Sequence, residues 1–150
     1  MRKQPIKFCL GLCAVLALLA NTAYALDFRS AASHGVILFD APNNAAHKVF
    51  VLSRGTPLEI MVDQGDWMRV RDQGGSLAWI HKQDLSSQRT VQVIKPASIY
   101  READSKSPVL FRASAGLLLN LLENTKTGWI KIKHHDGDIG YIRIEEVWGL

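Results

Sequence analysis

Apolar and polar residues alternate over short runs in most of the chain after residue 25. Typical runs are "PLEIMV", "WMRVR", "LLLNLLE" and "WIKIKH", and Gly, Asp, Asn or Pro residues separate such runs. A period of two predicts half-buried β-strands, and the separating residues favour turns. No sustained helical period occurs in this part of the sequence, although "KQDL" and "IEEV" can each form one tight turn. The pattern therefore predicts an all-β fold.

The strand pattern occurs twice in the sequence. The stretch "GDWMRVRDQGGSLAWIHKQDL" at residues 65–85 is repeated as "TGWIKIKHHDGDIGYIRIEEV" at residues 127–147. At an offset of 62, Trp67 aligns with Trp129, Val70 with Ile132, Trp79 with Tyr141 and Ile80 with Ile142; upstream the offset is 61, and Phe39 aligns with Tyr100, Phe50 with Phe111 and Gly55 with Gly116. One extra residue in the second copy, between Leu121 and Trp129, explains the change of offset.

Two copies are too few for a solenoid, so we predict two related domains, residues 26–88 and 89–150. Each contains about five short strands in some sixty residues, which favours a small β-barrel because a closed sheet buries an apolar face and leaves few exposed edges. The predicted fold is thus all-β, with two small barrels in tandem.

The order of motifs in each copy resembles the bacterial SH3 (SH3b) family. The first copy has a loop with Pro, an apolar strand, Gly55 before "PLEI", then "GDWMRVR", a short turn and "AWIHKQDL". The linking phrase "LSSQRTVQV" is similar to that of exported tandem SH3b proteins of Gram-negative bacteria. The second copy departs from the pattern where "REA" at residues 101–103 replaces "DAP" at residues 40–42. The resemblance implies two SH3-like barrels and binding of cell wall or protein.

The first 25 residues are typical of a secretory signal peptide. Arg2, Lys3 and Lys7 precede an apolar run at residues 8–20 that is too short to span a bilayer comfortably, and Ala23 and Ala25 form a small-x-small cleavage site. We therefore expect cleavage after Ala25, a periplasmic or secreted product, and no stable membrane insertion once the leader is removed.

Removing the leader changes the charge of the protein. Three of the 18 Lys and Arg residues lie in it, which leaves 15 against 14 Asp and Glu. Because phosphate binding needs a clustered cationic face, this near balance argues against a nucleic-acid partner. Both cysteines, Cys9 and Cys13, also lie in the leader, so we expect neither a disulfide nor a thiol nucleophile.

One face of each repeated hairpin is the candidate binding surface. In a strand, Met68 and Val70 point to one side, and Trp67, with the cations that follow it, points to the other. If the loops at residues 72–76 and 134–138 close the hairpins, residue 69 pairs with 79 and residue 131 with 141. Aromatic rings interleaved with cations suit an extended polar ligand. The predicted ligand-binding residues are Trp67, Arg69, Arg71, Trp79, Trp129, Lys131, Lys133 and Tyr141.

The alternative for each tryptophan is burial beneath the long loop of its own copy or against the other copy. Other constellations are weaker. The "HHDGD" stretch at residues 134–138 contains metal-ligating residue types, but it lies where a hairpin turn is required and lacks a recognised ligand spacing. We expect no metal site, no cofactor and no catalytic residues, since neither a nucleophile elbow nor a triad signature occurs.

Two functions of different classes remain. The first is an exported, non-enzymatic module that recognises cell-wall peptide or another envelope component. The second is an accessory subunit that docks onto a periplasmic enzyme or complex, for which a strand such as "RTVQVI" at residues 89–94 would offer an edge for strand addition. A stand-alone enzyme ranks third because no base and nucleophile occur together.

Overall fold

The computed structural model describes residues 26–150, which form fourteen short strands and two 3-10 turns. The first copy contains β1 (Phe28–Ala31), β2 (Val36–Phe39), β3 (Lys48–Leu52), β4 (Pro57–Gln64), β5 (Trp67–Arg71), β6 (Leu77–His81), the turn Lys82–Asp84 and β7 (Leu85–Ser86). The second contains β8 (Thr90–Val93), β9 (Ala97–Tyr100), β10 (Val109–Ala113), β11 (Leu118–Asn124), β12 (Trp129–Lys133), β13 (Ile139–Arg143), the turn Ile144–Glu146 and β14 (Val147–Trp148). The signal-peptide prediction falls on residues 1–25, outside the described residues.

The strands form two antiparallel sheets of the same topology. Their orders are β3-β2-β6-β5-β4-β1-β7 and β10-β9-β13-β12-β11-β8-β14. The prediction of an all-β chain made of two similar units is therefore confirmed. The end strands of each sheet do not pair with each other, so each unit is an open sheet and not the fully closed barrel that the strand count favoured.

A bulge bends each sheet at the same place. The register of β4 against β5 shifts between Ile60 and Val62, and that of β11 against β12 shifts between Leu121 and Glu123. A bulge increases the local twist, which allows one long strand to pair with a different neighbour at each end. Thus β4 pairs with β1 through its first residues and with β5 through its later ones.

The extra residue of the second copy lies in the loop between β11 and β12. In the first copy Gln64 pairs directly with Trp67 across a two-residue turn. The second copy needs a longer connection, in which Thr125 N–H donates to the carbonyl of Trp129 and Lys126 has a φ of 62°. The predicted position of the insertion is confirmed.

Each sheet encloses its own core. The aligned residues Val70, Ile80, Ile132 and Ile142 are all buried, with 1% or less of their surface exposed. Leu58 and Met68 join the first core, and Ile99, Leu119 and Ile130 join the second. Alternation along the hairpin strands thus assigned their buried faces correctly.

The two copies contact each other through β1, β14 and the residues that join the domains. The rings of Phe28 and Trp148 meet edge to face, with centroids 5.0 Å apart. Thr90 Oγ1 donates to the carbonyl of Gly55 over 2.7 Å, and Arg89 Nη2 donates to the carbonyl of Gly149 over 3.0 Å. Thr90 and Arg89, at the junction of the copies, thus donate to a main-chain carbonyl of the first copy and of the second copy, respectively.

The prediction that residues 89–94 form an exposed edge strand is wrong. Strand β8 lies inside the second sheet, paired with β11 on one side and β14 on the other. Its backbone hydrogen bonds are already used, so it offers no edge for strand addition. Within residues 26–150, no helix has the length and apolar character needed to span a membrane.

Candidate functional site

The two repeated hairpins have the register that the sequence predicted. Arg69 pairs with Trp79, and Lys131 pairs with Tyr141. Met68, Val70, Ile130 and Ile132 point into the cores, so the residues that alternate with them point to the other face. The geometry therefore places all eight predicted ligand-binding residues on the non-core faces of the hairpins.

In the first copy the non-core face forms an open aromatic corner, which we define as Phe39, Trp67 and His81. The Trp67 ring stacks on the His81 imidazole, with centroids 3.8 Å apart, and meets Phe39 edge to face at 5.4 Å. Trp67 is only partly buried. A cavity of about 360 Å³ adjoins it, lined by Asn44, Asp66, Trp67, His81, Lys82 and Gln83. The corner combines a fixed ring with polar groups, as small-ligand sites commonly do.

The equivalent corner of the second copy is closed. Trp129 meets Tyr100 edge to face at 5.5 Å, as Trp67 meets Phe39. Arg143 stands where the first copy has His81, and its guanidinium carbon lies 4.6 Å from the Trp129 ring centroid. The Trp129 side chain is buried, with only 7% of its surface exposed. The two tryptophans thus share a position but not an environment.

The cations of the two hairpins also differ. Arg71 donates from Nε to Glu59 Oε2 over 2.8 Å, and Glu59 is buried on the adjacent strand. At the matching place in the second copy, Lys133 stands opposite Asn120. The carboxylate is thus replaced by an amide, and Lys133 has no ion-pair partner among residues 26–150. Arg69 and Lys133 are exposed, and Lys131 is partly exposed.

Trp79 and Tyr141 occupy partly buried positions on the same faces. Each pairs in register with the aromatic residue of the neighbouring strand, Trp79 with Phe39 and Tyr141 with Tyr100. The ring partners of Trp67 are Phe39 and His81. The set of site residues predicted from the sequence omitted both. The alignment of Phe39 with Tyr100 at offset 61 was the available signal, since both are aromatic.

The "HHDGD" stretch forms the predicted hairpin turn. His134 N–H donates to the carbonyl of Asp138, and Gly137 N–H donates to the carbonyl of His134. Gly137 has a φ of 102°, in the region that glycine occupies most easily. Asp136 lies 3.1 Å from His134 Nδ1 and 2.7 Å from His135 Nε2, and the three side chains are close enough to share a metal ion. The turn alone accounts for their proximity.

Three solved structures resemble this chain in part. They are NlpC2 from Trichomonas vaginalis (18% identity, TM-score 0.38), NlpC1 from the same organism (21%, 0.37) and an NlpC/P60 family protein from Bacillus cereus ATCC 10987 (15%, 0.38). The similarity covers 83%, 85% and 81% of this chain but only 48%, 48% and 56% of those chains. This chain therefore spans about half the length of the structures it matches.

Comparison with curated proteins finds no match. A family model described as "Bacterial SH3 domain" matches twice, at residues 32–87 and 94–149. The two matches cover most of the chain and correspond to the two sheets and the two repeated hairpins. The chain belongs to the bacterial SH3 domain family, and it carries two such domains in tandem.

Proposed function

We propose that this protein is an exported, non-catalytic binding protein whose first SH3 domain recognises cell-wall peptide or another envelope component. The open corner at Phe39, Trp67 and His81 is the observation that carries the proposal. Its indole is fixed by two ring contacts and borders a polar cavity. A fixed aromatic ring gives contact area at little cost in conformational entropy, and nearby polar groups orient the ligand.

The eight predicted residues contribute unequally to this proposal. Trp67 borders the cavity directly, and Arg69 is an exposed cation two residues further along the strand. Arg71 is engaged by Glu59, and Trp129 is covered by Arg143. We therefore propose the first domain as the main recognition surface and assign Trp129, Lys131 and Tyr141 a secondary role.

Retention on purified sacculi tests the proposal. Trp67→Ala should weaken the free energy of binding to sacculi by about 1 to 3 kcal/mol, which is typical of an aromatic hot spot. Trp148→Ala is the matched control, since it removes another partly buried tryptophan that contacts Phe28 and does not line the cavity. Equal retention of the wild type and the Trp67 variant would contradict wall recognition by this corner.

Export is the second part of the proposal. We propose residues 1–25 as a signal peptide and place the domain boundary between residues 88 and 89. The interval between Ser86, where β7 ends, and Thr90, where β8 begins, supports this boundary. Amino-terminal sequencing of the periplasmic fraction should give Leu26, Asp27 and Phe28 as the first residues. A retained leader would contradict the proposed compartment.

The alternative function, docking onto a periplasmic enzyme or complex, is favoured by a different surface. Strand β3 is an end strand of the first sheet, and Val49, Phe50 and Val51 are 51%, 61% and 62% exposed. An exposed apolar end strand can accept a strand from another protein. Crosslinking in intact cells discriminates the two functions: Phe50→Lys should abolish a protein adduct if docking occurs here, whereas Trp67→Ala should leave that adduct intact.

A further inference from the structure

A second cavity lies between the two domains. Its volume is about 540 Å³, within the range of small-ligand sites. Residues of both domains line it, among them His34 and Arg54 from the first domain, Gln88 and Thr90 at the junction, and Lys133 and His135 from the second. We call it the interdomain cleft. It shares no lining residue with the cavity beside Trp67.

The charge of the interdomain cleft has one sign. Arg54 contributes a cation from the first domain and Lys133 contributes one from the second, and no Asp or Glu lines the cleft within residues 26–150. Both cations are exposed. Across the whole chain acids and bases are nearly balanced once the leader is set aside, so this concentration of positive charge is local.

The ammonium group of Lys133 has no carboxylate opposite it, because the two domains differ at the facing position. Its counterpart Arg71 is held by the Glu59 carboxylate, but Asn120 takes the place of that carboxylate in the second domain. Asn120 instead accepts a hydrogen bond from Gln88 Nε2 over 2.9 Å. The side chain opposite Lys133 is therefore neutral and is already hydrogen-bonded to the linker.

Two imidazoles add hydrogen-bonding groups. Arg54 N–H donates to His34 Nδ1 over 3.3 Å, so in the neutral ring the proton is on Nε2, which is a donor. His135 Nε2 lies 2.7 Å from Asp136, which is outside the lining of the cleft and offsets part of any charge on that ring. Arg54 and Lys133 therefore supply the fixed charges, and His34 Nε2 is a further hydrogen-bond donor.

The walls of the cleft are held in place. Ser30 is buried and its Oγ donates to the carbonyl of Gln88 over 2.8 Å, while Thr90 Oγ1 donates to the carbonyl of Gly55. These bonds tie residues of the first domain to the junction between the domains. Groups fixed before binding lose less entropy when a ligand arrives.

We propose that the interdomain cleft binds a small ligand with two or more carboxylate or phosphate groups, which Arg54 and Lys133 hold from opposite domains. Two cations from different domains match two anionic groups on one ligand, and guanidinium and ammonium groups bind such oxygens through charge-assisted hydrogen bonds. The inference does not depend on the proposed recognition at Trp67, because the two cavities have separate linings.

Titration of the purified protein, followed by amide chemical shifts, tests the proposal. Glutarate and pyrophosphate are the two probes, and they distinguish carboxylate from phosphate ligands. We expect saturable shifts at His34, Arg54 and Lys133 with one or both probes. Lys133→Gln should raise the Kd about tenfold, the effect of losing one charge-assisted hydrogen bond.

Asn120→Glu is the sharper variant. It restores the carboxylate that Glu59 provides in the first domain, and it should therefore raise the Kd at least as much as Lys133→Gln without removing a cation. Lys95→Gln is the matched control, since Lys95 is exposed and outside the cleft, and it should leave the Kd within about twofold. Non-saturable shifts with both probes, or equal weakening by Lys95→Gln and Lys133→Gln, would overturn the proposal.

Discussion

At the scale of single residues, one difference between the copies determines how much of each tryptophan ring is exposed. Trp67 has His81 as its cross-strand partner, and Trp129 has Arg143. The imidazole stacks beside the indole and leaves part of it exposed, whereas the longer guanidinium side chain reaches over the ring. A cation over an indole is favourable, and the arginine stem covers apolar surface. The same residue type is thus partly exposed in one copy and part of the packed structure in the other.

Replacing each tryptophan by alanine should separate these roles. Trp129→Ala should cost about 3 to 5 kcal/mol of unfolding free energy, as expected for a buried aromatic residue. Trp67→Ala should cost less than about 2 kcal/mol, because its ring is only partly buried. Urea denaturation followed by circular dichroism measures both. Equal small losses would show that Arg143 does not shield Trp129 in solution.

At the scale of the strand, alternation determines which positions accept a charged side chain without unfolding the copy. On β6, Ile80 is fully buried and Leu77 is 49% exposed; on β13, Ile142 is fully buried and Ile139 is 47% exposed. The two strands therefore contain the same pair of environments three residues apart. This correspondence provides matched controls within one strand.

An aspartate at a core position should unfold the copy that contains it. Ile80→Asp and Ile142→Asp bury an unpaired charge, whose cost of several kcal/mol is comparable to the whole stability of a small domain, about 5 to 15 kcal/mol. Leu77→Asp and Ile139→Asp should remain folded, because both side chains already face water. Dispersed amide spectra of the core variants would show that the face assignment is wrong.

At the scale of the whole molecule, Gly149 lies against Thr90 of its own domain and Pro57 of the first domain. Gly149 has a φ of 117°, and a Cβ there would lie 2.7 Å from the carbonyl oxygen of Thr90 and 3.1 Å from Pro57. The carbonyl of Gly149 also accepts the hydrogen bond from Arg89. A glycine is therefore required at this contact both by conformation and by space.

Gly149→Ala should loosen the domain contact. The expected loss is about 2 to 4 kcal/mol, from backbone strain together with the steric conflict at Thr90. Gly137→Ala is the control: its φ of 102° imposes a similar strain, but nothing lies within 4 Å of its added Cβ. Thermal unfolding should show the greater loss for Gly149→Ala, and faster hydrogen exchange at Thr90 and Val91 should accompany it. Equal effects of the two changes would mean that the close approach at Thr90 contributes nothing.

Local patterns in the sequence determined much of this protein. Alternation gave the strands and their buried faces, internal repetition gave two copies, and the turn residues gave the register that pairs Arg69 with Trp79 and Lys131 with Tyr141. These features depend on neighbouring residues, since the side-chain period of a strand and the length of a hairpin loop are local properties. The same reasoning gave the face on which the candidate site lies.

Tertiary structure alone decided what surrounds that face. Four features join segments that are distant in sequence or belong to different domains. They are the contact of Phe39 with Trp67, the covering of Trp129 by Arg143, the pairing of β8 inside the second sheet, and the cleft that Arg54 and Lys133 share. The burial of an indole or the availability of a cation depends on which side chains pack beside it. Those neighbours depend on the pairing of strands that are distant in sequence and on domain packing, which no periodicity in a single strand records.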